Sequence, residues 1–172
     1  ALRAHHLPLH EIQNRNDFHL KIFVCEYVTG GGLYREPLPA SLAREGDMML
    51  GALLGDLGVL PQVQLLTTRD ARLPPLAAPA EVVVTGEAVD IWSCWEDCLR
   101  QADAVWPIAP ESGGVLERLS RLAVQHGKVL LGSSPAAVAL AASKYATSAA
   151  LAAQRVATVP SFRPSEVSRN QL

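Results

Sequence analysis

The stretch LKIFVCEYVTGGG, residues 20–32, decides the fold. A β-branched and aromatic run that stops at three consecutive glycines predicts a buried strand, and a backbone able to come close to a ligand or another chain just beyond it. Glu26, Tyr27 and Thr29 stand at that stop beside Gly30, Gly31 and Gly32, which places candidate chemistry there. Two later runs end the same way: VWPIAPE at 105–111 halts at Pro110 and Glu111, and VLLGSS at 129–134 halts at Gly132. In an open parallel sheet the carboxyl ends of the strands line one crevice, so three stops far apart in sequence become neighbours in space.

Between these runs the apolar period alternates between strand and helix. Leu42, Met49, Leu50, Leu53, Leu54 and Leu57 recur at three- and four-residue spacing and predict a helix over 40–57, closed by Gly58. QVQLLTT at 62–68 reads as a second strand ending before Arg69 and Asp70, and 81–85 as a third. Asp90 suits the N-cap of a helix to about Gln101 with Ile91, Trp95, Cys98 and Ala102 on one face. A fourth strand at 104–108 leads through Pro110, Glu111 and Ser112 to a helix over 113–126, stopped by Gly127. A fifth at 128–131 meets Ser134, a cap, and Pro135, a helix start. An Ala-rich helix from Ser143 to about Arg155 follows, with 156–162 a strand-like exit. This alternation implies βαβ units, right-handed crossovers and an α/β fold: an open parallel sheet of four or five strands with helices on both faces.

Composition excludes several classes of function. At 172 residues and 49% hydrophobic the chain can bury a core as one domain or one domain with an appendage. Fifteen Lys and Arg against 17 Asp and Glu leave no electrostatic footprint for nucleic acid or an acidic membrane surface. No run approaches the roughly 20 apolar residues of a membrane span, and ALRAHHLPLH at the start lacks a signal-peptide core, so the expected compartment is the cytoplasm. A first residue other than Met is compatible with a processed chain, a fragment, or a sequence that simply starts at this point. Cys25, Cys94 and Cys98 form no C-x-x-C pair and read as free thiols. His5, His6, His10 and His19 crowd an N-terminal arm; His6 and His10 have helical ligand spacing but no suitably placed acidic third ligand, so no metal site is expected.

The remaining motifs carry two readings each. Gly30-x-Gly32 opens like a dinucleotide fingerprint, but Arg35 stands at the third glycine position and Pro37 and Pro39 delay the helix. A tight architectural loop and a substrate-contacting loop remain the alternatives. Glu111 suits either a ligand contact or the dipole of the helix that follows. Ser133 and Ser134 lack the G-x-S-x-G elbow of a hydrolase.

KIFVCEYVTGGG at 21–32, IAPESGGVLERL at 108–119, LGSSPAAVALAASKYAT at 131–147 and VATVPSF at 156–162 together resemble, in order and spacing, the amino-terminal part of an ATP-grasp ligase. The resemblance is strongest to the tyramine–L-glutamate ligase type of methanofuran biosynthesis and its bacterial relatives. It implies a Rossmann-like pre-ATP-grasp domain over 20–142, preceded by an arm at 1–19 and followed at 143–172 by the start of an ATP-grasp region. It implies an acyl-phosphate mechanism with ATP and Mg²⁺, joining an amino acid carboxylate to an amine. Lys144 falls where the family's phosphate-reaching lysine stands, although its neighbour is Ser143 where Asp is commoner.

By the same resemblance the substrate side falls to Glu26, Tyr27, Thr29, Gly30, Gly31, Gly32, Glu111 and Ser112, with no catalytic residue assigned. Glu26 and Glu111 would hold an ammonium group, and replacing Gly31 would harm ligand contact more than folding. The family's second phosphate lysine, adenine segment and acidic metal ligands come after the last residue given. The chain is therefore expected neither to hold ATP and Mg²⁺ nor to turn over alone. The implied partners are a small amino acid or amine and the ATP-grasp lobes, or a subunit carrying them, with self-association left open. A non-catalytic binding or assembly subunit and a Rossmann-like nucleotide-binding module are the rival readings.

Overall fold

A computed structural model of the protein describes residues 19–163. Five parallel strands lie in the order β3-β2-β1-β4-β5: β1 Leu20–Glu26, β2 Val63–Asp70, β3 Glu81–Thr85, β4 Ala104–Ile108 and β5 Val129–Leu130. The helices are α1 Ala40–Gly58, α2 Ile91–Gln101, α3 Val115–Gln125, α4 Pro135–Ala141 and α5 Lys144–Ala153. The predicted parallel α/β sheet with helices on both faces is the observed one.

Strand alternation sorts the core into two layers. Ile22 and Val24 face one side with Leu65, where Leu50 and Leu54 of α1 cover them. Phe23 and Cys25 face the other with Leu66, under Ile91, Trp95, Cys98 and Leu99 of α2 and Leu119 and Ala123 of α3. A continuous apolar run on β1 is what a strand covered on both faces requires. Two caps stand where the sequence places them: Asp90 accepts from Ser93 N, and Ser134 from Ala137 N at 3.3 Å.

Four boundaries differ from expectation. β2 runs through Arg69 and Asp70 because its ladder with β3 continues, pairing Arg69 with Val84 and Asp70 with Thr85. The third helix starts at Val115, since Gly113 (φ 68°) and Gly114 (φ 71°) are left-handed and cannot open a right-handed helix. The fifth strand shrinks to two residues. The strand-like exit at 156–162 forms no strand: it pairs with no neighbour, and Val159 and Phe162 stand 78% and 64% exposed. The histidine arm, His19 apart, lies outside the described residues. Among the described residues no single helix is long and apolar enough to cross a membrane.

Candidate functional site

The order β3-β2-β1-β4-β5 reverses its direction of growth between β1 and β4, so the crevice beyond their carboxyl ends is the switch point of the sheet, where open α/β folds take ligands. Two turns build it: the one leaving β1 and the one leaving β4.

Beyond β1, residues Val28–Gly32 make a single π-helical turn. Glu26 closes it from below. Its side chain points toward α1, is 2% exposed, and accepts from Thr29 N and Thr29 Oγ1, both at 2.6 Å through Oε2. Oε1 takes one longer bond, from Val28 N at 3.2 Å. Among the described residues no cation pairs with this carboxylate, although burial of a charge ordinarily demands one. Room for it exists because position 46 is glycine: a Cβ there would sit 2.7 Å from Glu26 Oε2. Glu26, Val28, Leu42, Glu45, Gly46, Met49, Ile108, Ala109 and Pro110 line a cleft of about 270 Å³. Its walls are mostly apolar, with a carboxylate at its floor and a second at Glu45.

The glycines of this turn serve their own neighbours. A Cβ on Gly30 would lie 2.6 Å from Thr68 Oγ1, and on Gly31, at φ +101°, 2.3 Å from Thr85 Oγ1. Thr29, Gly30 and Gly31 are buried, so the expectation that replacing Gly31 spares folding is corrected: its missing side chain is space that Thr85 of β3 and Ile91 of α2 already occupy. Gly32 packs on the ring of Tyr27, where a Cβ would meet Cε2 at 2.4 Å. Tyr27 in turn lies 5.9 Å from the Trp95 ring, and burial raises its phenol pKa, with the charge of Glu36 adding to the rise. The helix following the glycines begins only at Ala40, so no helix N-terminus meets a phosphate here.

Beyond β4 the turn is open. Glu111, Ser112, Gly113 and Gly114 form one short 3-10 turn, and Glu111 makes no side-chain cap bond, so capping does not account for it. Glu111 lines a second cleft of about 230 Å³ with Trp106, Leu116, Leu131, Ser133 and Val138, between α3, α4 and the end of β4. Thus the structure brings Glu26 and Glu111 to the two sides of one strand end, each in its own cleft.

Sequence reading missed the clamp beside the first turn. Asp70, 2% exposed, accepts from Arg72 Nε at 2.9 Å and Arg72 Nη2 at 2.6 Å. The same guanidinium donates to the carbonyls of Leu33 and Glu36, at 2.8 and 2.7 Å, fixing the exit of the glycine turn. Burial pushes the Asp70 carboxyl up, but Arg72, through both hydrogen bonds and charge, outweighs it and holds the group below the ordinary carboxylate range. Arg69, also buried, pairs with Asp47 of α1 and donates to Pro74 O at 2.9 Å. An Arg-Asp pair after a strand-like run looks like a turn, and nothing in its spacing signals the distant partner.

The three thiols are free. Burial pushes Cys98 up to about 12, helped by Cys94, and burial likewise raises Cys25, with the charge of Glu26 adding to it. Among the described residues no group of three metal-ligating side chains forms. Lys144 opens α5, an exposed residue on a helix that buries none of its own residues.

With this geometry in place, likeness to other proteins is informative. Residues 63–138 match the family model of the pre ATP-grasp 3 domain. A crystal structure described as an ATP-grasp superfamily protein from Archaeoglobus fulgidus superposes with a TM-score of 0.61 at 24% identity, over 78% of this chain and 40% of that one. The two chains share their fold over that span. The chain spans about two fifths of the solved protein's length, and no curated protein matches it significantly.

Proposed function

We propose that the chain is the substrate-binding, amino-terminal portion of an ATP-dependent carboxylate–amine ligase of the tyramine–L-glutamate ligase type. The pre ATP-grasp 3 match over residues 63–138 supports the class. The observation that carries the ligand assignment is Glu26, a buried carboxylate with no counter-cation among the described residues, at the floor of a cleft walled by Val28, Leu42, Met49, Ile108 and Pro110. A primary ammonium on an apolar body satisfies both features: the charge approaches Oε1, which accepts only one long bond, and the body displaces water from the walls. Glu111 and Ser112, on the other side of the β4 end, take the amino acid partner, whose ammonium group Glu111 would hold. Glu26, Tyr27, Thr29 and the glycines then shape and support the amine cleft. Activation of the carboxylate with ATP and Mg²⁺ is assigned to no described residue.

Titration of the chain with tyramine and with 4-ethylphenol, which keeps the ring and lacks the charge, tests the reading. Tyramine binds with NMR shift changes at Val28, Met49 and Ile108, and Glu26→Gln weakens it by at least about tenfold, or 1.4 kcal/mol. Equal affinity for 4-ethylphenol, or a folded Glu26→Gln variant with unchanged affinity, overturns it.

A further inference from the structure

The two edges of the sheet are treated differently by the sequence. At one end β5 has only Val129 and Leu130, a short edge of the kind that discourages pairing with other chains. At the other, β3 reads EVVVT over Glu81–Thr85, with no proline, glycine, lysine or bulge to blunt it. Its one charge is withdrawn: Glu81 reaches back across β2 to Lys21 Nζ at 2.7 Å. The connection from β2 to β3 contains no helix, and among the described residues the 71–80 segment borders the Val82 and Val84 face of β3. Val84 is left 64% exposed beside a groove of about 380 Å³ that Leu73, Pro75 and Leu76 line.

The backbone of β3 is correspondingly half used. Thr85 O accepts from Ala71 N on the β2 side, and strand residues alternate the direction of their N–H and C=O groups. Glu81, Val83 and Thr85 therefore face β2, and Val82 and Val84 present theirs outward.

We infer that β3 is a self-association edge, pairing antiparallel with β3 of a second copy about a two-fold axis at Val83, so that two five-stranded sheets become one. The sequence is self-complementary in that register. Val82 of each copy stands opposite Val84 of the other as a hydrogen-bonded pair, and the two Val83 residues meet at the axis. Glu81 stands opposite neutral Thr85, so no like charges face each other. The four outer valines form one apolar strip continuous with the Leu73, Pro75 and Leu76 groove of each copy. A partner of different sequence gains none of this register matching, which is why a second copy is the occupant.

Sedimentation velocity of the full 172-residue chain over a concentration series tests the pairing. The expected result is a rise from 18.4 kDa toward twice that mass. Val84→Pro removes an outward N–H that β2 does not use, and raises the dimer dissociation constant at least about tenfold with an unchanged melting temperature. Val84→Lys, which leaves the backbone intact, weakens the dimer in the same direction and guards against misfolding of the proline variant. In a Cys94→Ser background Val83→Cys forms an inter-chain disulfide on mild oxidation, whereas Cys94→Ser alone, whose remaining Cys25 and Cys98 are buried, forms none. A parent chain that stays at 18.4 kDa throughout, or folded Val84→Pro and Val84→Lys variants that dimerise as the parent does, overturns the inference.

Discussion

The turns that leave β1 and β4 are both glycine-rich and both border the switch-point crevice, yet they use glycine for opposite ends. After β1, every glycine of the turn would drive a Cβ within 2.6 Å of a neighbouring atom. After β4, Gly113 and Gly114 adopt positive φ with nothing within 4 Å of the added carbon. The glycines of the first turn are packed against Thr68, Thr85 and Tyr27, leaving Glu26 to the cleft on the α1 side, and the second turn holds Glu111 beside open space. Glycine in a loop therefore marks a backbone that needs freedom, and only its three-dimensional neighbours say whether that freedom serves the fold or a ligand.

The most direct way to break this contrast is to add side chains to both turns. Gly31→Val incurs a left-handed β-branched residue and a clash with Thr85, together roughly 2–5 kcal/mol of stability. Gly113→Ala incurs the left-handed conformation alone, about 1 kcal/mol. Denaturant unfolding of the two variants should separate them clearly, and equal losses would mean that the first turn is as free as the second.

The Asp70–Arg72 clamp on the glycine turn supplies the next largest effect. A carboxyl held below its ordinary value contributes stability that is fully present above the unfolded value, about 4, and is lost as pH falls through the lowered folded value. Thermal melts should therefore weaken on the acid side of about pH 4. Asp70→Asn should cost about 1–2 kcal/mol at neutral pH, allowing for solvent around Arg72, and flatten that acid limb. A variant whose melting temperature follows the parent at every pH would show that Arg72 does not secure the turn.

Gly46→Ala comes third. Its Cβ would meet Glu26 Oε2 at 2.7 Å and Thr29 Cγ2 at 3.0 Å, while alanine improves helix propensity, leaving a net loss of about 1 kcal/mol. In the Glu26→Ala background that loss should shrink, since the nearest obstruction is gone and only Thr29 Cγ2 remains close, and a double-mutant cycle reads the coupling. Additive losses would place the Glu26 carboxylate elsewhere than against α1.

These effects also mark how much of the molecule the sequence discloses. β1 is legible because Ile22, Phe23, Val24 and Cys25 form the unbroken apolar run that two-sided burial demands. The caps at Asp90 and Ser134 are legible because their partners lie three residues away. Arg69 and Asp70 are not: their charges look like solvent-exposed turn residues, and burial becomes tolerable only through Asp47 on another element and the folded-back Arg72. Gly46 is hidden for the same reason, since a mid-helix glycine acquires meaning only once Glu26 is known to lie against it. Glu26 and Glu111 are both visible as strand-end carboxylates, but their placement in separate clefts depends on Glu26 facing α1 and Glu111 lying beyond the opposite side of the β4 end. The 156–162 stretch fails in the other direction, because a β-like composition forms a strand only where a neighbouring edge is free to receive it.

The smallest stability effect belongs to Glu111, and its smallness is the sharpest part of the comparison. Its carboxylate makes no cap bond, is exposed on the open turn, and forms no ion pair among the described residues. Glu111→Gln keeps the shape and removes the charge, so unfolding should move by less than about 0.5 kcal/mol. If Glu111 contacts the amino acid partner through its ammonium, the same change should weaken glutamate binding by at least about tenfold, a loss of 1.4 kcal/mol that appears in binding and not in stability. Paired melting and titration of Glu111→Gln therefore tests the open turn as a ligand contact. Unchanged melting with lost binding sustains the division between a turn whose glycines are packed and one whose glycines are open. Unchanged melting with unchanged binding leaves Glu111 as a solvated residue and confines recognition to the Glu26 cleft. A large loss of stability would give Glu111 a structural partner and dissolve the distinction between the two turns.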